Sequence, residues 1–112
     1  PTQAFGMAKN WNYQSEEASF KIIKDQNLAS FNIVNLIYET EASVQHYLIK
    51  TQQNNLAVSD YDKNQYLFII GNQNLINSTQ AYQVKEFQPN QLIKIWSLNK
   101  DYQLFLYQRQ QN

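Results

Sequence analysis

The sequence predicts an α+β fold, with one long helix in the N-terminal half packed on a C-terminal antiparallel β-meander of about four strands. Three observations predict it. Residues 30–53 carry an apolar stripe at helical spacing, uninterrupted by Gly or Pro. From Leu56 onward the apolar residues alternate, or run continuously over short stretches, as strands do. Between those stretches stand Asn- and Asp-rich breaks, which serve as turns in a chain with only 2 Gly and 2 Pro. At 112 residues the chain has the length of one domain, 1–112, and its 43% hydrophobic content supplies a core without metal or disulfide staples.

Residues 1–13 lack periodicity but hold Phe5, Met7 and Trp11, which predicts a docked segment. Residues 18–24 fit either a strand or a helical turn opened by Ser15, with Glu16 and Glu17 suited to the positive end of a helix. In 30–53, Ser30 is the candidate N-cap, and Ile33, Ile37, Val44 and Leu48 form the stripe. Val34, Tyr38, Ala42 and Ile49 widen it, and Lys50 suits the negative pole. The competing reading is two strands, 32–38 and 44–49, because Ile and Val favour sheets. The absence of Gly and Pro decides for the helix. Residues 66–71 (YLFIIG) read as a strand buried on both faces. Stretches 81–87, 91–98 and 102–109 each alternate, with turns at 60–64, 72–77, 88–90 and 99–101.

Period two divides the last three strands into faces. One carries Tyr82, Val84, Ile93, Ile95, Leu104 and Leu106. The other carries Gln83, Lys85, Phe87, Lys94, Trp96, Phe105, Tyr107 and Arg109. A four-residue loop at 87–90 pairs Val84 with Ile93, and a two-residue loop at 99–100 pairs Ile95 with Leu104. The aliphatic face then closes on the long helix. The second face joins four aromatics to three cations. Trp, Tyr and Arg dominate protein-binding hot spots, and the same groups stack bases and meet phosphates in single-strand nucleic-acid binders. A structural alternative covers the aromatics with another strand or the N-terminal segment and lets the cations reach water.

Composition narrows the chemistry. With no Cys there is no disulfide scaffold, thiolate metal site or cysteine nucleophile. Nine Lys and Arg balance nine Asp and Glu, which argues against a polyanion binder and predicts a tendency to self-associate. Gln and Asn make up 30 of the 112 residues, but they are interleaved with apolar positions, as in a folded domain. No apolar run approaches the ~20 residues of a membrane span. No signal-peptide pattern is visible, and the compartment is left open.

Candidate catalytic and ligand groups do not converge. His46 is the only histidine, with Ala42 and Lys50 at helical spacing, and is expected to be dispensable. Residues 60–64 (DYDKN) echo a calcium loop, but Gln65 and Gly71 stand where Gly and Glu are needed. Glu39 and Glu41 point apart on a helix. Gly6 and Gly71 cannot make a phosphate loop. Asn77-Ser78-Thr79 is a glycosylation sequon, weak in an Asn-rich chain.

The expectation is a non-catalytic protein-interaction module, or a small subunit of an assembly, with no cofactor and no metal. It would bind a protein partner or a second copy through Lys85, Phe87, Lys94, Trp96, Phe105, Tyr107 and Arg109. The alternative is a small single-stranded nucleic-acid-binding domain using the same face. The predicted order, a long helix followed by a meander, resembles the soluble part of minor pilins in architecture alone. No pilin motif is present, and no family is assigned.

Overall fold

The computed structural model describes residues 10–38, 40–52, 56 and 58–110. Its central feature is the continuous apolar run at 66–71, which forms a strand buried on both faces as its sequence predicts. Around it the chain lays down α1 (Tyr13–Gln26), β1 (Phe31–Asn35), α2 (Ser43–Gln52), β2 (Tyr66–Gly71), α3 (Gln73–Ser78), α4 (Tyr82–Lys85), β3 (Asn90–Ser97) and β4 (Gln103–Arg109). The four strands form one open mixed sheet in the order β1-β2-β4-β3, with β1 parallel to β2 and the other pairs antiparallel. The class is α+β, as the sequence predicts; the sheet is not a meander.

Each sheet face has its own core. On one, Phe31, Ile33, Phe68, Ile70, Leu104 and Leu106 pack with Trp11, Phe20 and Ile23 from the α1 region and Ala42, Leu48 and Ile49 from the α2 region. On the other, Val34, Leu67, Ile69 and Phe105 pack with Phe87, joined by Ile76 of α3 and Val84 of α4. A strand covered on both faces has no polar side to display, which is why β2 is apolar throughout.

Several expectations are corrected. The helix over 30–53 is instead β1, a connection and α2; Gln53 lies outside the described residues. Ser30, the expected N-cap, has a φ of 60°, and Ala42 a φ of 54°, so the backbone leaves helical geometry at both places. Parallel pairing with β2 buries all five residues of β1, Asn32 and Asn35 included, and this overrides a stripe that also fits period 3.6. The rival two-strand reading holds for residues 32–35 of its first segment, where 36–38 are instead a turn, and fails for the second, which is α2. Residues 18–24 lie inside α1, whose cap is Asn12, not Ser15: the Asn12 side chain accepts from Ser15 N at 2.9 Å. Trp11 is buried, as a docked segment requires, while Phe5 and Met7 lie outside the described residues.

Residues 81–87 are not a strand. Lys85 N and Glu86 N donate to Ala81 O and Tyr82 O, closing the single turn of α4. Most of the turn expected at 72–77 is α3, with Asn72 as its N-cap. With a short helix in place of the first meander strand, no Val84–Ile93 pairing exists. The helix-then-meander order that suggested minor pilins is not the order of this chain.

Candidate functional site

The expected aromatic and basic face depends on the β3–β4 register, and that register is off by one residue. Asn99 Oδ1 accepts from Asp101 N at 2.8 Å and Tyr102 N at 2.9 Å, and Leu98 N donates to Tyr102 O at 3.1 Å. These bonds build a connection longer than two residues, and Ile95 pairs with Phe105 instead of Leu104. A slip of one residue moves every side chain of a strand to the opposite face relative to its neighbour. Lys94 and Trp96 therefore share a face with Leu106 and Leu104, on the α1 and α2 side. Phe105, Tyr107 and Arg109 lie on the other side, with Ile95 and Leu92.

The seven expected site residues thus separate into two groups. Lys94 Nζ sits 5.2 Å from the centroid of the half-buried Trp96 ring, which is tilted against Phe68. On the opposite face Phe105 and Phe87 are buried, at 2% and 1% exposure, so neither offers a ring to a base. Tyr107 stacks on Phe105 at 6.4 Å, and burial pushes its phenol above the usual 10.0. Arg109 Cζ lies 4.4 Å over the Phe87 ring, while its Nε donates to Asn64 O at 3.1 Å and an Nη to Glu86 O at 3.3 Å. Lys85 is exposed on α4 and donates to Gln80 Oε1. Arg109 is a packing anchor more than a free cation. A cavity of about 170 Å³ opens beside this group, lined by Leu67, Ile69, Ile76, Val84, Phe87 and Tyr107 among others.

Other polar groups hold the fold together. Glu16 has no exposed surface, and its Oε2 accepts from Trp11 Nε1 at 2.6 Å, Tyr38 OH at 2.7 Å and Asn35 Nδ2 at 3.1 Å. Its Oε1 accepts from Gln45 Nε2 at 2.8 Å. The network ties α1 to β1 and α2. His46 is half-buried and its Nε2 lies 2.7 Å from Asn32 Oδ1. Asn32 Nδ2 donates to Ser59 O, so its Oδ1 is the acceptor and His46 Nε2 carries the proton. Helical spacing could not reveal this partner, because it comes from β1. Residues 60–64 form a hydrogen-bonded turn, with Lys63 N and Asn64 N donating to Asp60 O. Among the described residues no group of three or more His, Cys, Asp or Glu could hold a metal ion, and no helix is long and apolar enough to cross a membrane.

The two edges of the sheet are treated differently. The β1 edge is covered: Val58 bridges Phe31, Ser59 N donates to Phe31 O, and Tyr61 OH donates to Ile33 O. β3 has β4 on one side and, among the described residues, no strand on the other. Gln91, Leu92, Ile93, Lys94 and Ile95 are all exposed, Ile93 and Ile95 at 47% each. The sequence pattern predicts those two isoleucines against the helix, and the structure exposes them instead. Antiparallel pairs alternate between hydrogen-bonded and not. Leu98 N bonds to Tyr102 O, so Trp96–Leu104 and Lys94–Leu106 are the bonded pairs, and Ile95 and Ser97 aim their backbone N–H and C=O outward. An apolar strand with a free backbone edge invites another strand. Two guards temper this one: Lys94, and a bulge between Leu92 and Lys94.

Comparison with protein-family models, with curated proteins and with solved structures gives no match.

Proposed function

We propose that this chain is a non-catalytic protein-interaction module, or the subunit of an assembly, that takes an added β-strand along the outer edge of β3. The observation that carries this reading is the contrast between the two sheet edges. β1 is covered by residues around Ser59, while β3 leaves three aliphatic side chains and the outward backbone groups of Ile95 and Ser97 open. In strand addition the main chain supplies affinity and the alternating side chains supply specificity. The burial of Phe87 and Phe105 and the anchoring of Arg109 support this reading over the nucleic-acid alternative, which calls for several exposed rings on one face.

The test uses a peptide reproducing Asn90–Ser97, added to the full chain and followed by residue-resolved amide shifts. The expected perturbations centre on Leu92 to Ser97, and Ile95→Pro abolishes them. That substitution removes an outward N–H and leaves the bonds to β4 in place. Perturbations centred on α3 and α4, or unaffected by Ile95→Pro, contradict the reading.

A further inference from the structure

We propose that the strand added to β3 is the β3 of a second copy of this chain, paired antiparallel about a two-fold axis that passes through Ile95. This inference rests on the strand-addition reading and names its partner.

Symmetry restricts the choices. A two-fold axis between antiparallel edge strands stands perpendicular to the sheet, so one residue must face its own copy. Centring on Ile93 places the axis on the bulge, where pairing is irregular. Centring on Lys94 opposes two like charges, which is unfavourable. Centring on Trp96 pairs Lys94 with Leu98 and runs off the end of β3 at Ser97. Centring on Ile95 uses the regular run after the bulge. It stacks Ile95 on its own copy and sets Lys94 of each chain opposite Trp96 of the other. Lys94 Nζ already sits 5.2 Å from a Trp96 ring within one chain, so the pairing supplies a second ring of the same kind.

Charge and access agree with this occupant. Lys94 is the only charged residue of β3, and a second copy sets an indole face opposite it without opposing a like charge. The chain carries no net charge, so two copies approach without long-range repulsion. The residues of β3 are exposed or half-exposed throughout, with Trp96 packed at the rim of the core. Ile95 also turns its N–H and C=O outward, so the two copies exchange a pair of backbone bonds at the axis. The result is one sheet continuous through both molecules, with α1 and α2 of each on the same side.

The absence of Cys gives the test a clean background. Directly opposed residues in an antiparallel ladder lie within the Cα separation a disulfide spans. Oxidised Ile95→Cys is expected to form a covalent dimer, and Ile93→Cys, whose copies lie several residues apart in this register, is not. By sedimentation equilibrium the unmodified chain is expected to be a dimer that dissociates on dilution. Ile95→Lys should weaken it by about 30-fold or more, as loss of a hot-spot residue does, with circular dichroism unchanged. Lys94→Ala is also expected to weaken the dimer; tighter association would mean that Lys94 only guards the edge and would overturn the register. A chain that stays monomeric while the Asn90–Ser97 peptide still perturbs β3 would overturn the second copy and leave strand addition standing. A dimer unaffected by Ile95→Lys, with no peptide effect on β3, would overturn both. Open-ended growth in mass beyond the dimer would overturn the two-fold pairing.

Discussion

Glu16 shows what a single buried residue must do to be tolerated here. A buried carboxyl group is costly unless its oxygens find donors, and four side chains from separate parts of the chain supply them. Glu16→Gln keeps the volume but turns an NH₂ toward groups that are themselves donors. It is expected to cost about 1–3 kcal/mol in urea unfolding, and an unchanged midpoint would contradict the role of the network. The sequence gives only a local hint of this residue, an acid near the start of a helix, because its donors lie up to 29 positions away. Tyr107 carries a pH dependence. Burial raises its phenol above 10.0, so the folded state holds the proton more tightly than the unfolded one. Its contribution is full below pH 10.0 and falls as pH climbs from there through the raised folded value. Tyr107→Phe is expected to flatten the alkaline loss of stability; an alkaline limb of unchanged slope would contradict it.

At the scale of elements, legibility followed the number of buried faces. β2 is buried on both sides and its apolar run could be read directly. β1 is also buried on both sides, but its two Asn residues broke the run, and the remaining Ile33 and Val34 fell into a helical stripe. Asn32 and Asn35 are buried because their side chains bond to Ser59 O and Glu16 Oε2, which no local pattern announces. A direct check follows from the faces. Ile33 pairs with Phe68 and Val34 with Ile69, so the neighbours point into opposite cores. Ile33→Ala is expected to cost on the order of 2–5 kcal/mol, and Val34→Ala a substantial fraction of that. Loss of stability at only one of the two would favour a one-faced element. The hairpin was legible as two strands but not in register, because Asn99-Lys100-Asp101 reads as a tight turn. The Asn99 side chain instead caps the amides of both Asp101 and Tyr102. That one residue of slip is what dispersed the expected aromatic and basic site.

At the scale of the whole molecule, the mixed sheet places β2 and β4 inside and leaves an unequal pair of edges. β2 and β4 are central, β1 is flanked by the Val58 bridge, and β3 has, among the described residues, no strand on its outer side. The α+β class was legible from the mixture of periods, but the parallel β1–β2 pair was not, since it joins residues separated by α2 and its connections. Among the described residues β3 has no outer neighbour, and its outward groups are proposed to take an added strand. Residue-resolved amide exchange at low and high protein concentration tests that proposal most directly. In dilute solution Lys94 and Trp96, bonded to β4, are expected to exchange slowly, and Ile95 and Ser97 quickly. At high concentration Ile95 and Ser97 are expected to become slow while α3 and α4 do not change. Slow exchange at Ile95 in dilute solution, or protection that builds over α3 and α4 and leaves Ile95 fast, would contradict the account.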